Sequence, residues 1–172
     1  MKMKNLIVSP YNEKWSLEFQ KIYDELFDIL CGSIISIEHV GSTSVKGLSA
    51  KPIIDIDVVI DNDMFKTVKN RLESLGYKHE GDLGIEGREA FEYDDKPQLM
   101  KHQLYVCNKN SAELKRHISF RDWLRTHDKD RDAYGKIKMQ MAKKFPNDIE
   151  GYMVGKQSCI LEIYKKCGLC KL

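Results

Sequence analysis

No stretch of this 172-residue chain approaches the ~20 consecutive apolar residues that a membrane-spanning helix needs. The opening Met-Lys-Met-Lys-Asn is not backed by an apolar run of signal-peptide length either, so a cytoplasmic protein without a membrane partner is expected. A disulfide framework is missing too. The five cysteines, at 31, 107, 159, 167 and 170, form an odd set with three of them in the last fourteen residues, and reduced thiols are the expectation. Cys167 and Cys170 have metal-ligand spacing but no second pair, which weighs against zinc. Net charge is nearly absent, at +2, and no groove-reading motif appears, which argues against nucleic acid as a partner. There is no internal repeat, low-complexity tract or long linker, so residues 1–172 read as one domain.

What is present is an ordinary globular composition, 42% hydrophobic and 31% charged. The charge is unevenly spread. Residues 112–172 hold 14 Lys/Arg against 8 Asp/Glu, and residues 1–111 hold 14 against 18. An acidic part joined to a basic part suits a metal site facing an anionic substrate, although solvated helix faces rich in lysine account for the same numbers.

Hydrophobic periodicity predicts a helix over 12–30, with Trp15, Phe19, Ile22, Tyr23, Leu26, Phe27 and Leu30 on one wide face. A β-branched strand follows over 34–40, then a Gly/Ser-rich segment over 41–52, then a second strand over 53–60. Asp61 or Asn62 is placed to cap a helix that Gly76 would stop. Shorter strands are predicted at 77–80, 88–93 and 99–107, and helices at 111–126, 128–144 and 148–166. The fold class is therefore α+β: a mixed sheet with flanking helices over about 1–110 and a C-terminal helical cap over about 111–172.

The most informative feature is Asp55-x-Asp57 within an otherwise apolar strand. Side chains i and i+2 emerge on one face, and two like charges there need a lysine or arginine, a shared proton or a divalent cation. An exposed strand end would explain the pair without any chemistry. Thirteen residues earlier, Gly41-Ser42-Thr43-Ser44 follows the first strand, where backbone N–H groups of a turn can hold phosphate oxygens. A plain turn is the alternative.

The block from His39-Val-Gly-Ser-Thr-Ser-Val45 through Lys51-Pro-Ile-Ile-Asp-Ile-Asp57 resembles the signature of the GrpB family, within the nucleotidyltransferase-fold superfamily. Pro10-Tyr11, Gly76-Tyr77, the run from Phe120 to Arg125, Tyr134, Lys138 and Lys156 extend the resemblance along nearly the whole chain. It implies a nucleotidyltransferase-like fold and transfer of a nucleoside monophosphate from an NTP to an unidentified small-molecule or protein acceptor. Asp55 and Asp57 would hold Mg²⁺ or Mn²⁺, and Gly41 and Ser42, with Thr43 and Ser44 beside them, would take the phosphates. The superfamily often supplies a third acid from a later strand, where residues 101–105 offer His102 and no carboxylate. His102 or Glu92 is the candidate base.

Lys51, Arg121, Lys138 and Lys156 are candidate phosphate or acceptor contacts, with surface ion pairs or snorkelled stems an equal account of each taken singly. Tyr134, Trp123 and Tyr152 read as core, and solvent-facing roles suffice for His117 and His127. The alternative function is a nucleotide- or phosphoanion-binding or partner-supporting module without catalysis. The resemblance includes such domains fused to dephospho-coenzyme A kinase.

Overall fold

The computed structural model describes residues 6–169. Five strands form one sheet in the order β1-β2-β5-β4-β3, comprising β1 (Ser36–Val40), β2 (Ile54–Ile60), β3 (Tyr77–Gly81), β4 (Arg88–Tyr93) and β5 (His102–Asn108). Only the β2–β5 pairing is parallel. The interior strand β2 is the most β-branched, as burial on both faces favours.

Alternation along β2 divides the two faces. Ile54, Ile56, Val58 and Ile60 join the main core, where Trp15, Ile22, Leu26 and Leu30 from α1 (Lys14–Leu30) and Val68 and Leu72 from α2 (Phe65–Ser74) cover the sheet. Asp55, Asp57 and Val59 point the other way, towards α3 (Ala112–Thr126). The helical cap is completed by α4 (Asp128–Lys144) and α5 (Ile149–Lys166). Among the described residues, no helix is long and apolar enough to cross a membrane. Cys31, Cys107, Cys159 and Cys167 are free thiols, and Cys170, the second residue of the Cys167/Cys170 spacing, lies outside the described residues.

Most predicted elements match within a residue or two. The strand expected from 99 begins three residues later, at His102, and the start of α2 also differs in detail. A short 3-10 turn, Asn62–Met64, precedes the helix, and neither Asp61 nor Asn62 makes a side-chain cap. Asp61 instead pairs with the Lys109 ammonium beyond β5. Gly76 does end the element, at φ 89°, a conformation that favours glycine.

Candidate phosphate and metal site

The Gly/Ser-rich segment leaves β1 at Gly41, turns through a 3-10 helix over Ser42–Ser44 and returns to β2. Gly41 has φ 72°, and a Cβ there would overlap the Asp55 carboxylate. Glycine is thus required on two grounds, backbone conformation and close approach to an acid. The segment is pinned at both ends. Backbone bonds of 2.9 Å in each direction join Ser9 to Ala50, and Val45 and Leu48 sink into a second core with Leu124, Tyr134 and Ile163.

Beneath it lies a cavity of about 240 Å³ whose wall includes Ser42, Lys51, Asp55, Gln103, Lys138 and Lys156. Five of the residues singled out from sequence therefore meet in one place, although Lys138 comes from α4 and Lys156 from α5. Thr43 also reaches the wall, but its hydroxyl donates to the Ile53 carbonyl at 3.3 Å and lies 2.9 Å from His39 Nε2. Tyr152 joins the wall, and two cations approach its ring, Lys51 at 5.0 Å and Lys156 at 4.6 Å from the centroid.

The electrostatics of this cavity are unbalanced. Lys138 is 2% exposed and forms no ion pair among the described residues, while its ammonium sits 4.7 Å from the Tyr134 ring centroid. Burial first, then the charge of Lys156, bring its pKa down to about 7. Lys156 falls to about 8, through burial and then Lys51. Asp55 rises to about 7, mainly because burial penalises its charge, with Asp57 adding to the rise and the nearby cations opposing it. Three lysines face one carboxylate, so an anion entering the cavity relieves repulsion that the fold leaves in place.

Asp57 is fully buried and is compensated by a residue that the sequence reading left to solvent. His117 Nδ1 donates to Asp57 Oδ2 at 2.6 Å, and His117 Nε2 lies 3.1 Å from Glu113 Oε1. Burial pulls the His117 pKa down, but the hydrogen bond and charge of Asp57, followed by Glu113, carry it above the ordinary value. The signal was present as spacing: Glu113, His117, Arg121 and Arg125 recur every fourth residue, a polar stripe along α3 facing the sheet. Asp57 Oδ1 is left buried without a hydrogen-bond partner.

Other predicted site residues are placed elsewhere. Arg121 is spent on Glu38 at 2.8 Å, the His39 carbonyl at 3.1 Å and Asp122 at 2.9 Å, so it braces β1 against α3 rather than facing the cavity. Ser44 turns inward, its hydroxyl donating to the Gly41 carbonyl, while Arg125 donates twice to the Ser44 carbonyl at 2.8 and 3.0 Å. His102 pairs in register with Ile54, on the face opposite Asp55 and Asp57. There its Nδ1–H donates to the Met100 carbonyl at 2.8 Å and its Nε2 accepts from the Tyr77 hydroxyl at 2.7 Å. It is a buried core histidine with its pKa lowered by burial, and the sheet backbone separates it from the aspartates. Glu92 shares their face but lies on β4, with β5 between. Strands stand about 4.8 Å apart, so two steps put its backbone roughly 10 Å from that of β2. His127 is exposed and stacked on Trp123 at 3.5 Å, whereas Tyr134 is core as expected.

Position 103 is where a third acid would stand. The parallel register sets Gln103 beside Asp55 and Tyr105 beside Asp57. Among the described residues, no three His, Cys, Asp or Glu side chains are grouped for a metal. A magnesium ion nevertheless needs only one or two protein carboxylates when phosphates and water complete its octahedron. Asp55 and Asp57 on one face, with Asp57 Oδ1 unpartnered, fit that limited requirement.

The sequence model of the family described as GrpB protein matches residues 5–166. The glutamate-rich protein GrpB of Alkalihalophilus pseudofirmus is 35% identical over 162 residues, covering 92% of this chain and 93% of that protein. The UPF0157 protein YqkA of Bacillus subtilis is 32% identical over 151 residues, 87% of this chain, and the match spans only 43% of YqkA. Among solved structures, the conserved protein GrpB from Enterococcus faecalis is similar with a TM-score of 0.81 and 32% identity, over 94% of this chain and 96% of that one. The Cid1 poly(U) polymerase in its MgGTP-bound structure is similar with a TM-score of 0.54 and 15% identity, over 77% of this chain and 42% of that one. That last likeness is one of fold alone, and it identifies the architecture as nucleotidyltransferase-like.

Proposed function

The chain belongs to the GrpB family, and from that premise we propose that it is a cytoplasmic, metal-dependent nucleotidyltransferase that moves a nucleoside monophosphate from an NTP to an acceptor. The observation that carries this reading is the cavity in which Ser42, Asp55, Lys51, Lys138 and Lys156 converge with excess positive charge. Lys138 and Lys156 neutralise the phosphate chain, and the Ser42 hydroxyl and the turn behind Gly41 position it. Asp55 and Asp57 would hold Mg²⁺ or Mn²⁺, which when bound supplies charge neutralisation and fixes the line of displacement. His117 engages Asp57 through Oδ2 and leaves Oδ1 free, on the face of the sheet that the strand alternation shares with Asp55. In the reaction an acceptor hydroxyl oxygen bonds to the α-phosphorus, the bond to the β-phosphate breaks, pyrophosphate leaves and the hydroxyl proton passes to solvent.

A second reading, a phosphoanion-binding or partner-supporting module without transfer, is favoured by one observation: the position beside Asp55 on β5 is the neutral Gln103. The two separate in one assay. Each α-labelled NTP is incubated with Mg²⁺ or Mn²⁺ and a broad set of hydroxyl acceptors, with wild type and Asp55→Asn. That substitution leaves the buried Asp57–His117 pair intact. Metal-dependent label transfer lost in Asp55→Asn supports the enzyme; nucleotide binding without transfer supports the module; absence of nucleotide binding contradicts both.

A further inference from the structure

Gln103 lines a second cavity as well as the first. This larger space, about 650 Å³, opens over β4, β5 and the end of β3, and Glu80, Glu92, Asp95, Lys101, Gln103 and Tyr105 are among its wall residues. The pleat sets Gln103 and Tyr105 on the face of Asp55 and Asp57, and Ala90, in register with Tyr105, gives that face a floor without a bulky side chain. Its volume falls within the roughly 300–1,000 Å³ of small-molecule sites, whereas 240 Å³ suffices for little more than a phosphate chain.

The two cavities carry opposite charge. In the larger one Asp94 is answered by Lys78 and Lys96 by Glu25, which removes those four from the count. Glu80, Glu92 and Asp95 then remain without an ion pair among the described residues, against Lys101 alone on the wall. Arg88 is laid over the Tyr105 ring at 4.3 Å and does not line the space. An acidic wall repels phosphates and attracts a protonated amine, and the lysine-lined cavity does the reverse.

We propose that the cavity over β4 and β5 is the acceptor site, and that the acceptor is a polyhydroxyl compound carrying protonated amines. This rests on the transferase reading above and names its second substrate by class. The acceptor's ammonium groups lie against Glu80, Glu92 and Asp95, and a hydroxyl reaches past Gln103 towards the phosphate cavity.

A matched pair of probes tests it: the disaccharide of glucosamine, with two amines, and cellobiose, with the same skeleton and hydroxyls in their place. Calorimetric titration of the full chain at pH 6 is expected to give at least tenfold tighter binding of the amine. In the combined variant Glu80→Gln, Glu92→Gln, Asp95→Asn that preference should vanish while the melting temperature and ATP binding are retained. Equal binding of the two disaccharides, binding of neither, displacement of the amine by neutral adenosine, or a preference undiminished in the variant would overturn the proposal. ATP titrations on the same samples keep the two questions apart. Lys138→Met should lose ATP yet keep the amine preference, so a failed nucleotide reading leaves the amine result readable by itself.

Discussion

Gly41 is the residue on which geometry bears most narrowly. An alanine there meets both a left-handed backbone and the Asp55 carboxylate, so Gly41→Ala is expected to cost more than about 1 kcal/mol of stability in urea unfolding and to displace the acid from the cavity. Asp55 itself should work against the fold. Its folded pKa of about 7 stands above the ordinary 3.8, so its contribution is whole below about pH 4 and is lost as pH rises through 7. In metal-free buffer, Asp55→Asn should raise the melting temperature at pH 8 and change it little at pH 4. His117 follows the same sign from a different cause. With its pKa raised by Asp57 and Glu113, its stabilisation is full below about 6.5 and declines as pH rises through the folded value. His117→Gln, which strips the imidazolium from a fully buried carboxylate, should cost about 3 kcal/mol at pH 5.5 and clearly less at pH 8.5, read from urea midpoints.

At the scale of elements, apolar spacing made most of the fold legible. The wide face of α1 and the β-branched run of β2 each predict the element that forms, because each buries the face its period describes. The site was legible where both partners lay on neighbouring segments, as with Gly41 and Asp55. It was not legible where strand register decides. Nothing in residues 101–105 says which of His102 and Gln103 faces the aspartates; that follows from the parallel pairing of β5 with β2, a contact between distant segments. His117 was missed for a similar reason, since its partner Asp57 is sixty residues away. Register also makes a prediction. Gln103→Glu sets a carboxylate beside Asp55, and Mg²⁺ affinity by calorimetry should rise at least about tenfold, in line with the dependence of such sites on ligand charge. His102→Ala, on the opposite face, should cost about 2–4 kcal/mol by removing a packed side chain and orphaning the Tyr77 hydroxyl, with nucleotide affinity preserved.

At the scale of the whole molecule, the uneven charge of the sequence becomes a seam. The sheet-bearing part contributes Ser42, Lys51 and Asp55 to the cavity wall, and the helical part contributes Lys138 and Lys156, so the cavity exists only where the two pack together. Lys138, buried and without an ion pair among the described residues, opposes folding, and on the proposed reading an anionic ligand offsets that cost. The most direct measurement is therefore calorimetric titration of ATP with Mg²⁺ into the wild-type chain and into Lys138→Met, each with its melting temperature recorded. The account predicts saturable binding to the wild type, at least tenfold weaker in Lys138→Met, whose melting temperature is equal or higher. Equal ATP affinity in the two proteins, or no binding to a folded wild type, would contradict it.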